Sequence, residues 1–272
     1  MLSITTVARS FAGGRDYNED CVAVEHGDDG CCLVLSDGAG GHAGGAVAAR
    51  TAVDKVLDGW RARAPVDAAD LTELLLDAHE AVLAAQRNAR ERAQAMHATI
   101  VALAIDKRRN VALWGHVGDS RLYVLRHGAL LAVTRDDSVV QWMVDAGYLA
   151  ADAARSHPRK NRLLAALGAD VALKPSVRAE PFTLEPGDAF LLCSDGWWDC
   201  VANREIEAQF ARVHSVQAWV DAMANRVAAG ARPDHDNYSA IGCWIGLVAA
   251  RTGSLADDRV SDKTRSRSSA AR

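Results

Sequence analysis

Carboxylates beside glycine, or beside one another, recur at five places: Asn18-Glu19-Asp20, Ser36-Asp37-Gly38-Ala39-Gly40-Gly41-His42, Gly118-Asp119-Ser120-Arg121, Ser194-Asp195-Gly196-Trp197-Trp198-Asp199 and Asp234-His235-Asp236-Asn237. Taken singly these are ordinary, since an Asp-Gly pair after a strand usually makes a turn and an Asn-Glu-Asp triplet a solvated face. Their repetition is what informs. Carboxylates cannot be gathered in one cleft without a compensating charge, because like charges a few ångströms apart drive protons onto one another. Hard divalent cations supply that charge. Oxygen-only ligands suit Mg²⁺ or Mn²⁺, whereas the His/Cys sets preferred by zinc are not assembled at these positions. A glycine after the acid lets a backbone carbonyl or amide approach an ion closely.

The glycine run from Gly38 to Gly45 invites a different reading, a nucleotide cradle. It lacks the lysine of GxxxxGK[ST] and the βαβ setting of GxGxxG, which weighs against kinase and dehydrogenase chemistry.

The elements that must position these acids can be read from apolar spacing. Cys21 to Glu25 and Cys31 to Ser36 read as antiparallel strands joined by a turn at His26-Gly27-Asp28-Asp29-Gly30. Helices are expected over Val47 to Trp60, with Val53, Val56, Leu57 and Trp60 on one stripe, and from an Asp67 N-cap to about Gln94. Strands follow at Ala98 to Ile105, Asn110 to Val117 and Arg121 to Leu125, with connections short enough to favour antiparallel pairing. Residues 137 to 155 suggest one or two short helices, and the polar segment to Gly168 a surface excursion. Strands resume at Ser176 to Phe182 and Ala189 to Cys193, a helix spans Ser215 to Ala229, and Tyr238 to Val248 closes the domain. Strands, then paired helices, then strands again fit an α+β fold in which two packed antiparallel sheets are flanked by helices.

A length of 272 residues is compatible with one domain, expected over residues 1–250, followed by a polar tail over 251–272 that should be disordered. The formal net charge of −4 weighs against a nucleic-acid partner, the more so because the tail is basic and the acids concentrate ahead of it. No apolar stretch is long enough to span a bilayer and the first ten residues lack a signal-peptide core, so no membrane partner and a cytoplasmic location are expected. The six cysteines form no CxxC pair, and those in apolar runs read as buried reduced thiols.

In order and wording the motifs resemble the metal-dependent PP2C (PPM) protein phosphatases of bacterial type, over residues 5 to 248. The matching text is Gly14-Arg15-x-x-Asn18-Glu19-Asp20, Asp37-Gly38-x-Gly40-Gly41-His42-x-x-Gly45, Gly118-Asp119-Ser120-Arg121-x-Tyr123, Ser194-Asp195-Gly196-x-x-Asp199 and Asp236-Asn237-x-Ser239. Residues His157 to Leu163 and Ala166-Leu167-Gly168 resemble the segment after the family's flap. The resemblance implies a four-layer αββα sandwich and hydrolysis of phosphoserine and phosphothreonine in proteins by metal-activated water in a single in-line step. It implies two Mn²⁺ or Mg²⁺ ions, bridged by Asp37, with the Gly38 carbonyl completing one site, Asp195 and Asp236 holding the other, and Glu19 and Asp20 in support. Asp119 and Asp199 resemble the ligands of a third ion described for bacterial members. Arg15 is the expected phosphate clamp, since its guanidinium fork matches phosphate oxygens bidentately. The implied partner is a phosphoprotein, either a Ser/Thr kinase or its target, acted on by a monomer.

In one place the match departs. Many eukaryotic relatives carry a histidine, the proposed general acid, directly after the Asp-Gly pair, and here that residue is Ala39. Protonation of the leaving oxygen is thereby left without an owner. His42 is a weak substitute, and His116 and His235 read as packing residues or supports of the site. Two other functions use the same ingredients: a non-catalytic binding protein on the same fold, and a binuclear hydrolase of small phosphate esters.

Overall fold

Along β3 (Gly30–Ala39) the buried residues alternate between two apolar layers, Cys31, Leu33 and Leu35 on one side and Cys32 and Val34 on the other. Period-2 side-chain alternation in a strand covered on both faces requires this. The computed structural model describes residues 2–40, 44–89 and 96–247.

The sheet containing β3 runs β10-β6-β5-β3-β2, formed by β2 (Asp20–His26), β5 (Ile100–Asp106), β6 (Val111–Val117) and β10 (Phe182–Thr183), with β4 (His97–Ala98) on β3 and β9 (Ser176–Val177) on β6. The second sheet runs β1-β12-β11-β7-β8, from β1 (Leu2–Phe11), β7 (Arg121–Arg126), β8 (Ala129–Val133), β11 (Ala189–Cys193) and β12 (Tyr238–Leu247). Every pairing is antiparallel. Helices α1 (Gly44–Ala62) and α2 (Ala68–Asn88) pack on the outside of the first sheet through Ala52, Val53, Val56, Leu75, Ala78 and Val82. The outside of the second is covered by α5 (Asp195–Trp198), α6 (Asn203–Phe210) and α7 (Val216–Gly230), whose Trp197, Ile206, Trp219 and Val220 are buried. Between the sheets lies the central layer, with Leu33, Leu35, Val101, Leu103, Phe190, Leu192 and Ile241. This is the expected αββα sandwich.

Most expected elements form, and the differences have local causes. Asp67 caps α2, its carboxylate accepting the Asp70 amide at 3.0 Å, but the helix ends at Asn88, short of Gln94, with Ala89 extended. The expected strand from Ser176 to Phe182 is two short pieces separated by Arg178–Pro181, where Pro181 has no amide to donate to a ladder. Sequence patterning assigns neither β1 nor β8, both edge strands whose partly exposed residues blur the alternation. The 251–272 tail and His42 lie outside the described residues. None of the described helices is long and apolar enough to cross a membrane.

Between β8 and β9 the chain leaves the sandwich through α3 (Val139–Asp145) and α4 (Ala151–Ala154). Ser138 caps α3, and the excursion returns to the body through the Ala98–Leu167 bridge and hydrogen bonds from the Gln86 side chain to the carbonyls of Met96 and Gly168.

Candidate metal centre

At one end of the sandwich the central apolar layer gives way to acids and hydroxyls. The alternation that sends Leu33 and Leu35 between the sheets sends Asp37 there too, and the β2–β3 register sets Asp20 directly opposite it. From the other sheet Ser194, following β11, and Ser239 on β12 reach the same layer. The Ser194 hydroxyl donates to Asp20 Oδ2 at 2.9 Å and accepts the Ser239 amide at 3.0 Å. Asp195 starts α5 one residue beyond, while Asp236 sits just ahead of β12.

Close backbone approach holds these pieces together. A Cβ on Gly38 would stand 2.1 Å from the Gly45 carbonyl oxygen, and one on Gly196 2.1 Å from that of Asn237, so both positions exclude any side chain. Asn237 ties three segments at once. Its Oδ1 accepts the Glu19 amide at 2.8 Å and its Nδ2 donates to the carbonyls of Ala12 and Tyr17 at 2.8 and 2.9 Å. Thr99 Oγ1 accepts the Asp37 amide at 3.1 Å and bonds the Ser120 hydroxyl at 2.7 Å. Asp119 rides on a loop fixed by Asp137, which accepts from the Gly118 amide at 3.0 Å, and by the Trp198 indole, which donates to the Asp119 carbonyl at 2.9 Å.

The electrostatics follow from burial. Desolvation, then repulsion from Asp20, Asp195, Asp119 and Asp236, raises the Asp37 carboxyl well above the ordinary range, and burial does the same to Asp119. Asp20 is pushed up to about 7, chiefly by burial, with Ser239 and Ser194 hydrogen bonds opposing the shift and Asp195 and Asp236 adding to it. Asp195 is raised to about 6 by burial and then by Asp236 and Asp199, against a hydrogen bond with Asp37. Glu19 Oε1 and Asp20 Oδ1 are buried and have no hydrogen-bond partner among the described residues. Unpartnered carboxylate oxygens beside acids that repel one another are the donor set a divalent cation would satisfy, and all the donors are hard oxygens.

Two cations of the protein's own already touch this cluster. Arg15 donates to Asp236 Oδ2 at 2.9 Å, and Lys160 pairs with Asp199. Among the described residues no three acidic, histidine or cysteine side chains are drawn around one point at metal-ligand distances. The fit to a metal therefore rests on donor chemistry and unmet charge. Arg15, Lys160, Asp195, Asp199 and Asp236 share a cavity of about 190 Å³ with Arg232 and His235.

All nine expected site residues thus fall at this end of the fold, with Asp199 at the rim. Of the histidines, His116 bonds the Arg135 carbonyl at 2.8 Å and the His235 ring packs on Tyr238, as supports rather than members of the cluster. Thr99 and the serines of the hydroxyl layer were not marked as site residues by the sequence. Their signal, a polar residue where strand alternation calls for an apolar one, shows only once the sheets are paired.

The family model for protein phosphatase 2C matches residues 12–234. The serine/threonine phosphatase stp of Listeria welshimeri is 34% identical over 199 residues, covering 71% of this chain and 77% of the relative. The structure of the Mycobacterium tuberculosis serine/threonine phosphatase PstP/Ppp is similar with a TM-score of 0.78 and 30% identity, over 90% of this chain and 99% of that one. The catalytic domain of PstP solved with two manganese ions gives a TM-score of 0.76 and 28% identity, over 91% and 100%. With an acid cluster at one end of an αββα sandwich and these matches across most of its length, the chain belongs to the protein phosphatase 2C family.

Proposed function

We propose that this chain removes phosphate from phosphoserine and phosphothreonine side chains of proteins, using divalent cations held by the acid cluster. The observation that carries the reading is the gathering of Asp20, Asp37, Asp119, Asp195 and Asp236 at one end of the sandwich, close enough for Asp20, Asp195, Asp119 and Asp236 to raise the Asp37 carboxyl, with Glu19 Oε1 and Asp20 Oδ1 unpartnered among the described residues.

Asp37, facing the acids of both sheets, would hold the ions together with the Gly38 carbonyl, Asp195 and Asp236, and Glu19 and Asp20 would support them. Bound cations supply the positive charge that lowers the pKa of water and neutralises the phosphoryl oxygens. Arg15, half-exposed at the mouth, can turn its fork from Asp236 to a phosphate, which leaves the Asp236 carboxylate free as a ligand. Lys160 holds Asp199 in the same way, so a third ion at Asp119 and Asp199 requires that ion pair to open. Mn²⁺ and Mg²⁺ are both accommodated by this donor set. The substrate class implied is a kinase-modified protein, either a Ser/Thr kinase itself or its target.

A phosphothreonine peptide should be turned over by the wild-type chain in Mn²⁺, and Asp37→Asn should lower kcat by about 10³-fold or more, as removal of a central group in such sites does. A wild-type chain inactive at millimolar Mn²⁺ would favour the non-catalytic reading.

A further inference from the structure

A serine or threonine oxygen leaving phosphorus departs as a strongly basic alkoxide, so a proton donor at that oxygen speeds its release. Ala39, next in the strand after Gly38, cannot supply one. The ladder places an imidazole across from it. In the β3–β4 register Gly38 faces Ala98 and Ala39 faces His97. Directly opposed residues of an antiparallel pair project to the same face, with Cβ atoms about 4.5–5.5 Å apart.

Which face that is follows from the neighbours. Met96, Ala98 and Ile100 pack into the layer under α1 and α2, so His97 and Thr99 point the other way, as does Val101 in the central layer. Thr99 confirms it by bonding the Asp37 amide and the Ser120 hydroxyl. His97 is therefore one rung beyond Asp37 on the face that carries the acids. Its ring is half-buried, and its Nδ1 is buried without a hydrogen-bond partner among the described residues. A structural histidine would ordinarily satisfy that nitrogen, as His79 does by accepting the Gly168 amide at 3.2 Å.

We propose that His97, facing Ala39 across the β3–β4 ladder, is the proton donor to the leaving serine or threonine oxygen. This rests on the phosphatase reading above. As the bond from phosphorus to the attacking water oxygen forms, the bond to the side-chain oxygen breaks. The electron pair left on that oxygen takes the imidazolium proton. The attacking water gives one proton to solvent and keeps the other on the product phosphate, and the neutral imidazole regains a proton from solvent.

The test compares two substrates in Mn²⁺: a phosphothreonine peptide, whose leaving oxygen needs a proton, and p-nitrophenyl phosphate, whose leaving group departs as a stable anion. His97→Ala and His97→Gln should each lower kcat on the peptide by about 10²-fold while leaving p-nitrophenyl phosphate turnover near wild type. Adding Ala39→His to His97→Ala should restore peptide turnover from the opposite side of the rung, and a double variant no better than His97→Ala would count against the assignment. Parallel loss on both substrates, as a merely structural role would give, or no loss on the peptide, would overturn it. A wild-type chain that hydrolyses neither substrate would instead bring down the phosphatase reading itself.

Discussion

Burying a carboxyl group costs free energy that a neighbouring carboxyl increases, and Asp37 bears the full effect: burial first, then four other acids, hold its proton on. A residue so placed opposes folding unless a cation joins it, which puts function and stability in conflict at a single side chain. At pH 8 in chelator, Asp37→Asn should be more stable than wild type by about 1 kcal/mol in urea titrations, because it removes a carboxyl that ionises freely in the unfolded chain but is disfavoured as an anion in the fold, while activity in Mn²⁺ is lost. Arg15 is a milder case. Its ion pair with Asp236 is half-exposed, so Arg15→Ala should leave the midpoint of unfolding nearly unchanged. Its kcat/KM on a phosphopeptide should fall by about 10–100-fold, the loss expected of a charge-assisted phosphate contact. The acids and Arg15 were legible in the sequence because their types and order carry the chemistry. His97 was not, since nothing in the local text of Met96-His97-Ala98 marks it, and its meaning comes from facing Ala39 across a ladder.

Elements position these residues through backbone contacts that short polar side chains and glycine make possible. Asn237 joins the loop after β1, the start of β2 and the start of β12 with three hydrogen bonds. Asn237→Ala should cost about 3 kcal/mol in denaturant unfolding, near one per bond, and should weaken Mn²⁺ binding by loosening Glu19. Gly38→Ala would press a methyl against the Gly45 backbone, which cannot yield as a side-chain end can. A loss of about 4 kcal/mol or poor recovery of soluble protein is the expected result. The strands and long helices were readable where burial on one or two faces stamps a clear period, as in β3, α1 and α7. The edge strand β1 escaped because its partly exposed residues blur that period, and β9 and β10 fell short of the expected strand because Pro181 interrupts the ladder.

At the scale of the whole molecule, two sheets close on an apolar layer whose last rung is acidic, so the fold concentrates negative charge at one end of the sandwich. The packing of the two sheets was implied by the order of the elements, whereas the convergence of the five motifs came only with the family resemblance, because spacing along the chain says little about which strand ends meet. This charge makes stability depend on pH in a definite direction. With native carboxyl values raised to about 6 for Asp195 and about 7 for Asp20, the unfolded chain releases protons first as pH rises. In chelator, the contribution of these groups is therefore present below about pH 4, the unfolded carboxyl value, and is lost as pH climbs toward 7. Saturating Mn²⁺ should abolish that loss and raise the melting temperature in proportion to the logarithm of its concentration. The most direct test of the account is anomalous scattering from a Mn²⁺-soaked crystal. It should show a peak between Asp37, Asp195 and Asp236 and a second between Asp37 and the Gly38 carbonyl, with Arg15 withdrawn from Asp236. A soaked crystal with no peak among these acids and Arg15 still paired to Asp236 would contradict it.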